Sequence, residues 1–566
     1  MKWAWMLLNW PGVAASITRM QRSPLRWLGW LVACCWLVIA CQSPSPPTGE
    51  GPGSSPSPPP GPGRLVLGTT ARLRTLDPAD AYEILSNNLL YNLGDRLYVY
   101  TSSGPDAPPT LTPQLATALP QVSADGLTYV IPLRQGVKFH DGTPFNAEAM
   151  AFSLRRFIEN GGTPSFLLAD TIATVEATGE LELTIRLKTP FVAFPSLLTI
   201  PGTAAVSPQA YERGVGKFNP STFVGTGPYQ LTEYRSDRLR LDAFADYWGE
   251  PPANPGLDIQ IFSSPANLYN SFRTGAIDVA YQNLDPDQIN RLKQEAGTGG
   301  WQVIEGAGNG IHYLTLNVKS PPFDQVAVRQ ALAASIDRPL LQSRVFQGLV
   351  EPLYSLIPNT LADSVPVFKD AFGDGNAAQA LQVLAQAGYS AEKPLEAQLW
   401  YRSNLTSNSL AANLLKAWVD ENLKGVMRLD LQSVESATAY QNLDKGIYPS
   451  FMLDWTPDFL DADSYIHPFL ACAQGSPETG CQEGSSKAQG SFYYSAAANQ
   501  LIDRSRQETD PQKRQQIFKE LQAIVAQDVP FIPLWQNKEF LFVQKQVSGA
   551  ALTPIQTVAF AKLSKG

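Results

Sequence analysis

The chain has 566 residues, with 43 Lys and Arg against 51 Asp and Glu and a formal net charge of −8 at pH 7. That balance argues against nucleic acid or an anionic membrane surface as the principal partner, since a net negative body is repelled by both. The length exceeds what one hydrophobic core supports and implies two or three domains. The first 41 residues carry Lys2, Arg19, Arg22 and Arg26 and no acid, so the remainder has a net charge of −12.

Trp27 to Ala40 is an apolar run of fourteen residues. That matches a signal-peptide core and falls short of the roughly 20 residues needed to span a bilayer as a helix. Residues 20–41 form a complete signal by themselves, which points to Met20 as the start of translation. Val38-Ile39-Ala40 ahead of Cys41 resembles the lipobox of bacterial lipoproteins. The resemblance implies that Cys41 is lipidated and that the body is exported and anchored to a bacterial membrane on its extracytoplasmic, periplasmic face; an uncleaved anchor is the alternative. Residues 42–63 hold nine prolines, five glycines and five serines. They can bury nothing that offsets ordering entropy, so a disordered tether is expected. Its reach is up to roughly 70 Å at about 3.1 Å per residue.

Beyond the tether, Arg64-Leu-Val-Leu-Gly, Leu181 to Leu187 and Tyr313 to Val318 read as strands by alternation or continuous apolarity. Asp324 is expected to cap a helix presenting Val328, Leu332 and Ile336. A second helix is read from Leu410, Leu414 and Trp418, and a third begins at Asp510-Pro511 and presents Ile517, Leu521, Ile524 and Val525. Strands interleaved with helices give an α/β fold.

Cys472 and Cys481 are the two cysteines after the tether. In an oxidising compartment they read as a local disulfide, with free thiols or metal ligands as alternatives. The chain's three histidines, His140, His312 and His467, form no metal-ligand spacing. There is no Gly-x-Ser-x-Gly, His-Glu-x-x-His or phosphate-loop motif. No cofactor or metal is therefore expected, and binding is favoured over catalysis. The carboxylates of Asp458-Phe-Leu-Asp-Ala-Asp463 leave open a hydrolase with two acids meeting in a cleft.

Six blocks, in order, resemble the peptide-type solute-binding proteins of ABC importers, bacterial family 5. They are Leu76-Asp-Pro-Ala79; Leu115 to Leu119 with Ser123 to Glu148; Val224-Gly-Thr-Gly-Pro-Tyr229; Asp246-Tyr-Trp-Gly249; Gly275 to Val279; and Asn317 to Leu332. Gly225 and Gly227 are read as supplying turn dihedrals, and Arg329 as pairing on a helix face. The resemblance implies two lobes closing on a hinged cleft, with an extra domain inserted in the first lobe. Mapped here, lobe I comprises 64–99, 206–309 and 530–566, the extra domain 100–205, and lobe II 310–529. Hinges are expected at Gly308-Asn-Gly310 and Val529-Pro530.

By the same resemblance Asp458 would pair with a peptide's α-ammonium and Trp455 would line the adjacent pocket. Arg402, beside Trp400, would take a ligand carboxylate. The implied partners are an oligopeptide or dipeptide and the importer's permease and ATPase subunits, the protein itself being a monomer. A nickel chelate, an opine or another small solute could use the same scaffold, as could a structural or sensory lipoprotein.

Overall fold

Two long strands, Trp301–Leu316 and Phe531–Gln544, pair antiparallel from Trp301↔Gln544 to Thr315↔Phe531 and hold the molecule together. The computed structural model describes residues 63–102, 109–281 and 284–566. The signal segment, Cys41 and residues 42–62 of the expected tether lie outside the described residues.

Around this pair, eleven strands form one sheet. On one side Trp301–Leu316 pairs antiparallel with Ser450–Trp455, which lies parallel to Leu395–Arg402, itself parallel to Met427–Val434. On the other side Phe531–Gln544 pairs antiparallel with Val279–Tyr281, followed in parallel by Leu65–Thr69 and Gly256–Ile261. Arg238–Ala243 and Tyr229–Tyr234 close that edge in antiparallel order.

The packing follows strand alternation. In lobe I, Leu65, Leu67, Ile259, Val279, Leu541 and Val543 face a core shared with Leu85, Leu89 and Leu90 of the helix Ile84–Leu93. Their neighbours Val66, Ala280, Phe540 and Phe542 face the opposite core with Leu268 and Phe272. Lobe II has one core, running from Ile311 through Leu399 and Phe451 to Phe531, Ile532 and Trp535. An inserted body has its own sheet, in the order Gln121–Val122, Thr128–Pro132, Glu182–Leu187, Ile172–Gly179, covered by the helix Ala147–Glu159.

The chain passes between lobe cores within both long strands. Gly308-Asn309-Gly310 coincides with a register shift between Ala307 and Ile311. The second passage lies later than Val529-Pro530, because Phe531 to Trp535 still pack in the lobe II core and Leu541 is the first residue of that face in the lobe I core.

The motif blocks are structural. Asp77 is fully buried and accepts two hydrogen bonds from Arg156 of the inserted body, at 2.7 and 2.6 Å, with Ala79 and Asn219 N–H groups completing its shell. His140 Nδ1 accepts from Gly225 N–H at 3.3 Å and its Nε2 bonds the Gly227 carbonyl at 3.0 Å, joining two blocks. Burial lowers its pKa to about 4, so the ring stays neutral. Gly225 and Gly227 are needed for space rather than for dihedrals: a Cβ would stand 2.3 Å from the Phe223 ring or 2.5 Å from the Leu93 backbone.

Helix boundaries differ from expectation in places. The helix Val326–Ala334 is capped by the Gln325 backbone without a side-chain bond, so Asp324 caps nothing. Arg329 reaches the carbonyls of Asp528 and Phe323 instead of an acid. In Thr406–Asn422 the buried face is Asn408, Ala411, Ala412, Leu415 and Val419, while Leu410 is exposed. Small residues let that helix approach the sheet, an effect the apolar count alone misses. Asp510 does cap Pro511–Asp528, accepting from Gln512 and Lys513 N–H.

Cys472 and Cys481 are bonded, closing a small hairpin with strands Gln474–Ser476 and Gly480–Glu483. Substituting Cys481→Ser should cost about 2–3 kcal/mol by releasing a short loop, seen as a thermal midpoint lowered to that of the reduced wild type. Asp77→Ala leaves Arg156 buried without its counter-charge and should cost about 3–5 kcal/mol. A melting curve coincident with wild type would contradict that assignment.

Candidate functional site

The three parallel strands of lobe II, Leu395–Arg402, Met427–Val434 and Ser450–Trp455, end on the side where Trp455 pairs with Ile311, next to the hinge glycines. Ligand sites of open α/β sheets collect outside such carboxyl ends. Asp454, Trp455 and the loop to Asp458 emerge there.

Asp458 joins the two lobes. Its backbone N–H donates to Ser464 Oγ at 3.2 Å, fixing the loop, and its carboxylate accepts the hydroxyl of Tyr82, which precedes the lobe I helix Ile84–Leu93. No cation among the described residues pairs with it. Burial raises its pKa to about 6, against the lowering effect of the Tyr82 bond. Burial and then the Asp458 charge push the Tyr82 phenol far up, so tyrosine remains the donor.

Trp455 is partly buried; its indole N–H donates to the Ser464 carbonyl at 2.8 Å and its ring meets Phe469 edge-on at 5.7 Å. Arg402 is buried and committed: its guanidinium pairs with Asp454 and donates to Tyr440 Oη at 2.8 Å, while Nε has no partner among the described residues. Trp400 stands elsewhere. It pairs with Phe451, four residues back from Trp455, or about 13 Å along the strand. Its indole N–H bonds Gln398 and its ring packs on Tyr448 at 5.0 Å.

Around Arg402 lie groups to which the sequence reading gave no role. His312, opposite Asp454 in the strand pairing, stacks on Trp535 at 4.6 Å. Burial, then the Arg402 charge, lowers its pKa to about 3, so it is neutral. Asp454 could have been found as the acid directly before Trp455; Tyr82 lies three residues beyond the Leu76 to Ala79 block, at no motif position.

The acidic run after Asp458 builds no catalytic pair. Asp461 is held by Arg514 at 2.9 and 2.7 Å, and Asp463 by Arg506 at 2.8 Å through both oxygens. Burial would raise the pKa of Asp463, but the Arg506 bonds and charge prevail and lower it. Between Asp458 and Asp461, Phe459 packs against the inserted body's core and meets Phe191 at 6.0 Å, and the Leu460 carbonyl accepts from Tyr100 at 2.6 Å. Val192 N–H also donates to the Arg506 carbonyl at 2.7 Å. The inserted body thus grips lobe II directly beside Asp458.

Among the described residues no cluster of three or more His, Cys, Asp or Glu could hold a metal ion, and no helix is long and apolar enough to cross a membrane.

Comparison with known proteins agrees with this layout. The family model described as "Bacterial extracellular solute-binding proteins, family 5 Middle" matches residues 110–477. The glutathione-binding protein GsiB of Escherichia coli O1:K1 is 28% identical over 504 residues, covering 87% of this chain and 92% of that one. HbpA2 from Haemophilus parasuis shares the fold with a TM-score of 0.77 at 22% identity, over 89% of this chain and 100% of the other. DppA from Helicobacter pylori, in complex with the peptide STSA, does so with a TM-score of 0.70 at 21% identity, over 89% and 98%. The chain belongs to the extracellular solute-binding proteins of family 5, which bind solutes for ABC importers and are not enzymes.

Proposed function

We propose that this protein captures peptides by their free α-ammonium at Asp458 and delivers them to the permease and ATPase subunits of an ABC importer. The observation that carries the reading is the Asp458 carboxylate, partly buried between the lobes and met there by a phenol rather than a cation. An ammonium taken from water needs a fixed, charge-assisted partner, and a cleft that excludes water strengthens the pair. The Trp455 ring, tethered through its N–H, would line the first side-chain pocket. Arg402, already neutralised by Asp454, would stiffen the strand ends instead of meeting a ligand carboxylate. Trp400 would lie outside the pocket. Release of the C-terminal clamp favours oligopeptides of several lengths, and glutathione, named for the relative GsiB, belongs among the first ligands to test. Lipidation at Cys41 would keep a monomeric receptor near its importer at the periplasmic face.

Isothermal titration should find short peptides bound, and Asp458→Ala should weaken them roughly 10- to 100-fold, the worth of a charged hydrogen bond. Preference for a nickel chelate or a sugar over every peptide would contradict the reading.

The pH dependence follows from the carboxyl that faces Tyr82. The ligand requires the ionised form, whose pKa in the free protein is about 6. Affinity should therefore be level above that pH and fall about tenfold per unit below it. In stability the sign is opposite. The folded protein binds this proton more tightly than the unfolded chain, so ionisation costs stability as pH rises from about 4 towards 6. Asp458→Asn should therefore melt later than wild type at neutral pH, with the difference closing towards pH about 4.

A further inference from the structure

Glu539 lies on the long strand Phe531–Gln544 where it crosses between lobes, and it is partly buried. Its side chain has no hydrogen bond or ion pair with any described residue. Its strand neighbour Lys538 points to the other face, where it pairs with Glu305 at 2.9 Å and Glu351 at 2.7 Å. Alternation therefore sends Glu539 to the face of Asn537 and Leu541.

That face is the one on which the lobes meet. Leu541 packs in the core shared with the helix that follows Tyr82. Asn537 lies beside Gly310, where a Cβ would stand 3.1 Å from its Nδ2 and 3.8 Å from Oγ1 of Thr456, two residues before Asp458. Glu539 is two residues further along the strand, about 7 Å away. Directly across the ladder is Gly306, whose missing side chain leaves room on this face; Leu552 is the nearest group there, 3.4 Å from where a Cβ would be.

A second acceptor without a donor belongs to Gln556, whose amide meets the facing strand one residue from Gly306. Gln556 gives its Nε2 to the Ala307 carbonyl at 3.0 Å, while its buried Oε1 has no partner among the described residues. Burial alone raises the Glu539 pKa to about 7, with no charged neighbour of either sign acting on it. Acceptors in surplus, one of them able to carry charge, suit a group that is cationic and rich in donors.

We propose that Glu539, with Gln556 Oε1, forms a second recognition point that takes a lysine or arginine side chain of the bound peptide, so that the protein selects basic peptides. This rests on the peptide reading given above. The α-ammonium goes to Asp458 and the side-chain cation to Glu539.

The test is isothermal titration of the full-length protein with a peptide series identical except for one residue: lysine, arginine, methionine or glutamate. Wild type should bind the lysine and arginine members at least tenfold more tightly than the methionine member. Glu539→Gln should remove that preference, and Glu539→Lys should shift it to the glutamate member. Equal binding of basic and neutral members by wild type, or a preference that survives in Glu539→Gln, would overturn the proposal while the peptide reading stands. Failure of every member to bind would overturn both.

Discussion

The antiparallel ladder between Trp301–Leu316 and Phe531–Gln544 is the constraint on which the rest of the molecule depends. Each strand contributes its ends to a different core, so the lobes share a sheet and cannot separate without breaking backbone hydrogen bonds. What the ladder permits is bending at its weakest point, the register shift at Gly308-Asn309-Gly310. Glycines there serve close approach: a Cβ at Gly308 would stand 2.8 Å from the Asn537 carbonyl oxygen. A continuous sheet whose register shifts between Ala307 and Ile311 and again between His312 and Tyr313 is a physical route to closure about a cleft, and the carboxyl ends of the lobe II strands open onto it.

The cleft's chemistry is decided by which acids are already satisfied. Asp461 and Asp463 hold Arg514 and Arg506, Asp454 holds Arg402, and Asp77 holds Arg156. These pairs brace loops and bodies against one another. Asp458 and Glu539 lack such partners, and both have a pKa raised by burial. A buried carboxylate without a counter-charge is costly to a folded protein, and a cationic ligand offsets that cost on binding. On the proposed reading, affinity and the residual instability of the cleft would have one origin. The inserted body contributes through Tyr100, Phe191 and Val192, which fix the segment 459–460 and Arg506 next to Asp458.

Much of the scaffold was legible in the sequence, because alternation and capping are local. The strands around Leu65, Leu183 and Tyr313 and the Asp510-Pro511 cap appear where the residues place them. The motif blocks pointed to the right family because they encode contacts such as Asp77 with Arg156 and His140 with the Gly225 turn. The site was legible only in part. Asp458 and Trp455 were read from the family resemblance, but the commitment of Arg402 to Asp454 depends on two strands far apart in the chain. The Tyr82 contact joins residues 376 positions apart, and nothing local marks it. Glu539 in a mixed polar run looks like a solvated strand residue until the facing of Lys538 and the gap at Gly306 are known.

The central claim is that Asp458 reads a free α-ammonium. The most direct measurement is a calorimetric comparison of one bound peptide with its N-acetylated counterpart, alike in every other atom. Acetylation removes the charge and should abolish most of the binding, by roughly 10- to 100-fold or more. Equal affinity for the two forms would contradict the account.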